Sequence, residues 1–314
     1  MDNMTSTSVN TMQVSSSGFH LNSATLMIIL LLFLFLAIFL FFVVLMLSAF
    51  FSTVHLREQT RYILFMYLLL NDAAYLLASG ILFLFAMIIY RIPLSACYVL
   101  VAISATSFIN SPNSLAAMSL ERYVAICYPL QHSEICRVER SWVAIIAISA
   151  IGFLPVFIDI IIMFFVAKVS YFTTSLVCSQ EIFLITPEQS ALLSAKHGFT
   201  FSVVALIIVY TYIRIMLEAK KNSGDRTSSS KASRTVALHA IQLLLCMTSF
   251  TYPMTETLVK DQVVYVRVFN MYMFMLLPRF LSPLFFGFRD KTFRTHVRKF
   301  CPCITHRCLR PRNT

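Results

Sequence analysis

The chain has 314 residues, of which 58% are hydrophobic and only 12% are charged, and its mean hydropathy is +0.78. A soluble domain needs a more polar surface than this composition supplies, so the sequence indicates an integral membrane protein. The formal net charge of +11 does not indicate a nucleic-acid partner, because the basic residues lie in short patches between apolar runs, as in a membrane topology signal.

Seven apolar runs follow one another along the chain, each close to the roughly 20 residues that a helix needs to cross a bilayer. The runs are continuous rather than alternating, and the chain has only 6 glycines and 10 prolines, which favours helices over an outer-membrane barrel. The predicted fold is therefore an all-α membrane protein built as a seven-transmembrane helix bundle. Its predicted spans are 24–51, 62–89, 97–125, 141–166, 193–217, 234–258 and 263–286.

The predicted domain is single and covers residues 1–314, with the helix bundle at 24–286. When loops are assigned to alternate sides of the membrane, 19 of the 25 basic residues fall on one side and five on the other, while Arg279 lies within the last span. The positive-inside rule then places residues 1–23 outside the cell and residues 287–314 in the cytoplasm. We expect a multi-pass plasma membrane protein, and Asn3, which begins an Asn-Met-Thr triplet, is a candidate for N-glycosylation.

The tail after the last span is predicted to form a short amphipathic cytoplasmic helix. Apolar residues recur at helical spacing in a segment otherwise rich in Lys and Arg, which is typical of a helix lying along the inner leaflet. Cys301, Cys303 and Cys308 follow this segment and are candidates for palmitoylation. A zinc site is the alternative, but the Cys-Pro-Cys spacing does not match a structural zinc module, so we expect no metal and no cofactor.

The third span ends in a charged motif. Residues 118–130 have the sequence Met-Ser-Leu-Glu-Arg-Tyr-Val-Ala-Ile-Cys-Tyr-Pro-Leu, which places Glu121 and Arg122 at a membrane edge, where charges are costly. Cys97 lies 25 residues before Arg122, and a helix of that length rises roughly 37 Å, about a bilayer with part of its headgroups. One helix therefore carries a cysteine at one membrane face and Glu121-Arg122-Tyr123 at the other.

This arrangement resembles the third helix of the rhodopsin-like (class A) G-protein-coupled receptors. Residues 118–130 and 231–239 are similar to the odorant-receptor branch of that family, and residues 61–72 resemble its fish-type members. The resemblance implies a receptor, not an enzyme, that binds a small-molecule odorant and activates a heterotrimeric G protein. The G protein is expected to be of the stimulatory type, so that activation raises cAMP.

The resemblance also assigns roles to individual residues. It implies a disulfide between Cys97 and Cys178 on the outer side, the alternative being two free thiols. It implies that Glu121 holds Arg122 at rest and releases it to the G protein on activation, the alternative being an arginine that reaches the lipid headgroups. The expected switch residues are Glu121, Arg122, Tyr123, Tyr212 and His239.

Three polar residues are predicted to be buried within the spans: Asp72, Ser111 and Arg279. Asp72 corresponds by resemblance to the buried aspartate of the second helix, which in this family commonly helps to hold a sodium ion. A buried guanidinium without a partner would cost several kcal/mol. We therefore expect Arg279 to pair with Asp72 and to take the place of the sodium ion; the alternative is that Arg279 reaches a backbone carbonyl or a water molecule.

Two classes of receptor are excluded because the chain lacks a residue that their ligand chemistry needs. An aminergic receptor needs a carboxylate about five turns before the arginine of the third helix, where this chain has Ser104, and a visual pigment needs a lysine in the last span, which is absent between residues 262 and 290. The ligand site is expected to suit a small, mostly apolar molecule with one or two polar groups, although each aromatic could serve packing alone. Its predicted members are Ser104, Ala105, Phe108, His197, Phe201, Thr251, Tyr252 and Tyr272.

Two alternative functions stay open at this point. One is a non-olfactory class A chemoreceptor. A transporter or channel is supported by the polar stretch 110–114 and by the intramembrane Asp72 and Arg279, whereas the odd number of spans and the absence of internal repeats argue against it. The expected partners are an odorant, a heterotrimeric G protein and membrane lipid, with no nucleic acid.

Overall fold

The computed structural model describes residues 23–88, 91–166, 175–178, 180–183, 187–221 and 268–281, and also residues 241, 283 and 295. Apart from residues 241 and 295, the predicted sixth span and the predicted amphipathic helix and tail lie outside the described residues. The same is true of Asn3, Thr251, Tyr252, His239 and the three tail cysteines.

Helices dominate the described part of the chain. The five long ones are α1 (Ser23–Ser52), α2 (Thr60–Met87), α3 (Leu94–Cys127), α4 (Val138–Val166) and α5 (Pro187–Lys221), and each is long and apolar enough to cross a membrane. Single-turn helices at Val54–Arg57 and His132–Ile135 and a 3₁₀ turn at Gln180–Phe183 lie between them. A shorter apolar helix, Val268–Leu281, which we call the last helix, contains a π-helical stretch at Met271–Leu276.

The first five predicted spans are confirmed to within six residues at either end. The largest difference is at α5, which begins at Pro187 rather than at residue 193. Proline is well suited to the first position of a helix, and the polar residues after it extend the helix beyond its apolar run. An apolar run marks the part of a helix that hydrocarbon surrounds, not the whole helix.

The third helix occupies the centre of the described structure. α3 packs against α2, α4 and α5, whereas α1 packs against α2. The buried apolar core lies mainly between α1 and α2, with Phe39, Phe65 and Leu69 among its fully buried side chains. The outer surfaces of the same helices expose large apolar side chains, such as Met27 with 68% of its surface exposed, which suits contact with lipid.

A disulfide closes one end of the bundle, which we call the disulfide end. Cys97 at the start of α3 is bonded to Cys178, and both residues are buried. Cys178 directly follows strand β2 (Ser175–Val177), which pairs antiparallel with strand β1 (Arg91–Pro93) ahead of α3. The predicted disulfide is thus confirmed, and it ties the segment after α4 to the beginning of α3.

At the middle of the bundle α3 and α4 approach each other closely at Gly152. A Cβ atom at this position would collide with the Asn110 side chain of α3 and would lie 3.0 Å from the carbonyl oxygen of Thr106. Gly198 on α5 differs, because a Cβ there would meet nothing within 4 Å. Glycine is therefore required at residue 152 for helix packing and is not required at residue 198.

We predict that Cys97→Ser and Cys178→Ser each reduce surface delivery and thermal stability, since loss of a native disulfide typically costs roughly 2–5 kcal/mol. The double variant should lose little more than either single variant. Cys136→Ser is the matched control, because Cys136 is a free cysteine and its replacement should leave delivery nearly unchanged. Additive losses in the double variant would contradict the account.

We also predict that Gly152→Ala lowers the unfolding temperature in detergent, because overpacking a tight contact typically costs about 1–3 kcal/mol. Gly198→Ala should be neutral or slightly stabilising, since alanine in a helix interior is favoured over glycine by roughly 0.5–1 kcal/mol. Equal shifts in unfolding temperature for the two variants would show that the close approach of α3 and α4 at Gly152 does not contribute to stability.

Candidate functional site

A cluster of buried polar side chains joins α2 to α3 in the middle of the membrane-spanning region. Asn71 Nδ2 donates to the Ser107 carbonyl at 2.8 Å and to Ser111 Oγ at 3.0 Å. The Ser111 hydroxyl donates to Asp72 Oδ1 at 2.7 Å, and Asn110 Nδ2 lies 3.4 Å from Asn71 Oδ1. We call these five residues the polar cluster, and each of them is buried.

The sequence explains why the cluster forms. Ser107, Asn110, Ser111 and Ser114 recur at helical spacing, so they make one polar stripe along an otherwise apolar α3. This stripe faces α2 at the point where α2 carries Asn71 and Asp72. Ser114 Oγ instead donates to the Asn110 carbonyl one turn earlier in its own helix, at 2.8 Å.

Arg279 of the last helix meets Asp72. Its Nε atom lies 3.5 Å from Asp72 Oδ1, and only 3% of each side chain is exposed. Nη1 of the same guanidinium also donates to the Met275 carbonyl at 3.2 Å. The predicted pairing of Arg279 with Asp72 is therefore present, together with the backbone contact that was its alternative.

This ion pair has more than one source of support. Taking two charges out of water is costly, and their attraction offsets that cost only when further contacts complete the site. The Ser111 hydroxyl supplies one such contact to the carboxylate. The face of the Tyr75 ring supplies another to the guanidinium, whose Cζ atom lies 3.6 Å from the ring centroid. α2, α3 and the last helix thus meet at one charged centre.

The predicted ligand residues that the structure describes fall on three helices. It brings Phe108 of α3 and His197 of α5 together, with ring centroids 5.5 Å apart in an edge-on arrangement. Phe201 lies one turn after His197 and is buried, while Ser104 and Ala105 on α3 are partly buried.

Tyr272 is held against α1. Its hydroxyl donates to the Ile28 carbonyl at 2.7 Å, and its ring packs edge-on against Phe35. These contacts are structural, since they join the last helix to α1. They show that a predicted ligand residue can also serve helix packing.

At the opposite end of α3, which we call the Arg122 end, one carboxylate has two basic neighbours. Arg122 Nε lies 3.5 Å from Glu121 Oε2, and His132 Nε2 lies 3.2 Å from Glu121 Oε1. His132 begins the single-turn helix His132–Ile135, which α2 anchors through a hydrogen bond of 2.6 Å from the Thr60 hydroxyl to the Cys136 carbonyl. Glu121 thus links Arg122 to the loop that follows α3.

Of the remaining switch candidates, the structure describes Tyr123 and Tyr212 but not His239. Tyr123 packs edge-on against Tyr128 and against Tyr210 of α5, with centroid distances of 5.7 and 5.9 Å. Tyr212 is a partly buried residue of α5. His239 lies in the part of the chain that the structure does not describe.

Several side chains that contact these sites or lie beside them were not predicted from the sequence. His132 carries no signal in the sequence beyond its place in a short loop, and the pairing of Lys196 with Asp159, at 3.9 Å between α5 and α4, is equally hidden. Asn71 and Tyr75 could have been predicted, because they lie one and three residues from Asp72 on the same helix.

Comparison with known proteins identifies the family. A family model described as seven-transmembrane receptor (rhodopsin family) matches residues 43–285. Odorant receptor 131-2 of Danio rerio is 32% identical over 219 residues, which cover 68% of this chain and 67% of that protein. Olfactory receptor 4F15 of Homo sapiens is 23% identical over 211 residues, covering 61% of this chain and 62% of that protein.

The chain therefore belongs to the rhodopsin family of seven-transmembrane receptors and, within it, to the fish-type odorant receptors. Members of this family are receptors and not enzymes.

We predict that Asp72→Asn and Arg279→Gln each lower the unfolding temperature and the amount of receptor at the cell surface. Removing one partner of a buried ion pair typically costs about 3–5 kcal/mol. The exchanged pair, Asp72→Arg with Arg279→Asp, should recover part of that loss. The matched control is Asp159→Asn, which should cost less because the side chains of Asp159 and Lys196 are 31% and 25% exposed. An exchanged pair no better than the single variants would contradict a direct pairing.

Proposed function

We propose that this protein binds a small, mostly apolar odorant in the half of the bundle nearer the disulfide end, and activates a heterotrimeric G protein at the Arg122 end. The G protein is of the stimulatory type, so that binding raises cAMP. The observation that carries the proposal is the Arg122 end itself, where Arg122 is held by a carboxylate that His132 shares.

The proposed activation step follows from the charges at the Arg122 end. Glu121 is buried, whereas the side chain of Arg122 is 23% exposed, so the arginine needs only a small movement to leave its partner. The released guanidinium is a planar, permanently charged donor, which is suited to binding carbonyl and carboxylate groups of a protein partner. Tyr123, Tyr212 and His239 are the further residues that we assign to this surface.

The proposed ligand site centres on the contact between Phe108 and His197. Rings from two helices meet there and present an apolar surface with one imidazole, which favours a neutral molecule with one hydrogen-bonding group. We assign Ser104, Ala105, Phe201, Thr251, Tyr252 and Tyr272 to the same site. The ligand would bridge α3 and α5, the helix pair that also presents Tyr123 and Tyr210 at the Arg122 end.

We also propose an arrangement in the membrane. One receptor domain covers residues 1–314, with residues 1–23 outside the cell, a complete bundle of seven helices at 24–286, and a cytoplasmic amphipathic helix and tail at 287–314. The distribution of Lys and Arg supports this orientation. Asn3 would carry the glycan, and Cys301, Cys303 and Cys308 would carry acyl chains in the inner leaflet of the plasma membrane.

A transporter or channel is the weaker candidate. Its main support was the polar stretch 110–114, and the structure gives these side chains partners within the protein. Ser111 binds Asp72, Asn113 Nδ2 donates to the Ile109 carbonyl, and Ser114 donates to the Asn110 carbonyl. Polar groups that are already bonded within the bundle do not support a conduction path.

The test is a panel of small neutral alcohols, aldehydes, ketones and esters applied to cells that express the chain and read out by cAMP. We predict that at least one compound raises cAMP and that Arg122→Ala reduces the response to background while surface delivery stays near normal. Arg140→Ala is the matched control, an exposed arginine on α4 that should leave the response intact. A normal response in Arg122→Ala would refute the switch assignment.

A complementary experiment separates receptor from transporter. Purified protein in vesicles should accelerate nucleotide exchange on an added stimulatory G protein when an active compound is present. Ion or solute flux in the same vesicles without nucleotide exchange would favour the transporter.

A further inference from the structure

Aromatic rings connect the buried ion pair to the proposed ligand site. The Arg279 Cζ atom lies 3.6 Å from the Tyr75 ring centroid and 5.9 Å from that of Phe108. Tyr75 and Phe108 are stacked, with centroids 6.0 Å apart and planes inclined by 28°. Phe108 in turn meets His197. We call Arg279, Tyr75, Phe108 and His197 the ring stack, which runs from the last helix through α2 and α3 to α5.

The contact with Tyr75 is suited to hold a cation. An aromatic ring carries partial negative charge on its face, and its attraction for a guanidinium grows when water is excluded. Both groups here are almost fully buried. The Tyr75 ring therefore takes the place of water that would otherwise hydrate the guanidinium.

The backbone beside Arg279 has an unusual geometry. The Met275 carbonyl that accepts from Arg279 Nη1 belongs to the π-helical stretch Met271–Leu276. Such stretches are rare and are frequent at functional sites, because they leave backbone groups available for other partners. A displacement of the guanidinium would change the hydrogen bonding of this stretch as well as the ion pair.

We propose that Tyr75 is a positioning residue that fixes Arg279 on Asp72, and that Phe108 makes this ion pair respond to the ligand site. A molecule that displaces Phe108 or His197 moves the Tyr75 ring, and with it the guanidinium and the end of the last helix. The second half of this inference rests on the proposed function, because it takes the Phe108–His197 contact as the place where the odorant binds.

The competing explanation is that Tyr75 and Phe108 only fill space in the core. Size alone would make the effect of removing either ring independent of the charge on residue 279. An electrostatic role makes that effect depend on the charge. A double-mutant cycle separates these two explanations without any ligand.

The experiment measures the unfolding temperature of Tyr75→Leu and Tyr75→Phe in the native chain and in an Asp72→Asn/Arg279→Gln background. In the native chain Tyr75→Leu should lower the unfolding temperature by several degrees, on the order of 2–4 °C or more, and Tyr75→Phe should restore most of that loss because it keeps the ring. In the neutral background the loss from Tyr75→Leu should be clearly smaller.

Phe153→Leu is the matched control, since Phe153 is 55% exposed and packs on Phe157 of its own helix. It should give the same small shift in both backgrounds. An equal loss from Tyr75→Leu in the two backgrounds would overturn the positioning role. This outcome needs no odorant and no G protein, so it is distinct from a failure of the proposed function.

The role of Phe108 is tested with basal nucleotide exchange on added stimulatory G protein. Phe108→Leu should change the basal rate in the native chain, and it should have less effect in the Asp72→Asn/Arg279→Gln background. The same change in both backgrounds would overturn the link between the ligand site and the ion pair. Absence of exchange by the unmodified protein would instead refute the proposed G-protein coupling, and the thermal cycle would still decide the role of Tyr75.

Discussion

A carboxylate and a guanidinium that lie within a bilayer are each far more costly alone than together. The rest of the described structure depends on this constraint at Asp72 and Arg279. Asp72 belongs to α2 and Arg279 to the last helix, which are separated by most of the chain, so their attraction joins segments that loops alone would leave free to move. Ser111 adds α3 to the same centre through its hydrogen bond to Asp72.

The third helix carries the connection between the two ends of the molecule. Cys97 ties its beginning to the disulfide end, the polar cluster and Phe108 occupy its middle, and Glu121 and Arg122 stand at its far end. α3 also contacts α2, α4 and α5, so a shift of this helix would change the packing of most of the described helices. Under the proposed function, that placement would let a molecule bound near Phe108 influence the Glu121–Arg122 pair several turns away.

Much of this architecture could be predicted from the sequence because it depends on the solvent. A chain that crosses hydrocarbon needs long apolar helices, and this requirement was enough to predict the first five spans. Charges buried there need partners, and this requirement was enough to predict the pairing of Arg279 with Asp72. The disulfide came from resemblance to a family, and the structure confirms it. The beginning of α5 at Pro187 was missed, because apolar runs locate the membrane and not the helix ends.

Contacts that depend on how two helices or loops face each other could not be predicted in this way. His132 reaches Glu121 because a single-turn helix folds back on α3, and Tyr75 covers Arg279 because of the rotation of α2 about its axis. Neither rotation nor loop path is encoded in a local pattern. Asp159 and Lys196 pair for the same reason, since α4 and α5 place them side by side.

The most direct test of the central claim is the charge state of Asp72 in the purified, membrane-embedded protein. Infrared difference spectra between the unmodified chain and its Asp72→Asn variant isolate the signal of this one side chain. The account predicts that the unmodified chain shows the carboxylate bands of an ionised Asp72, and that these give way to the carbonyl band of a protonated acid when Arg279 is replaced by Gln. A protonated Asp72 in the unmodified chain at neutral pH would contradict the ion pair on which the account depends.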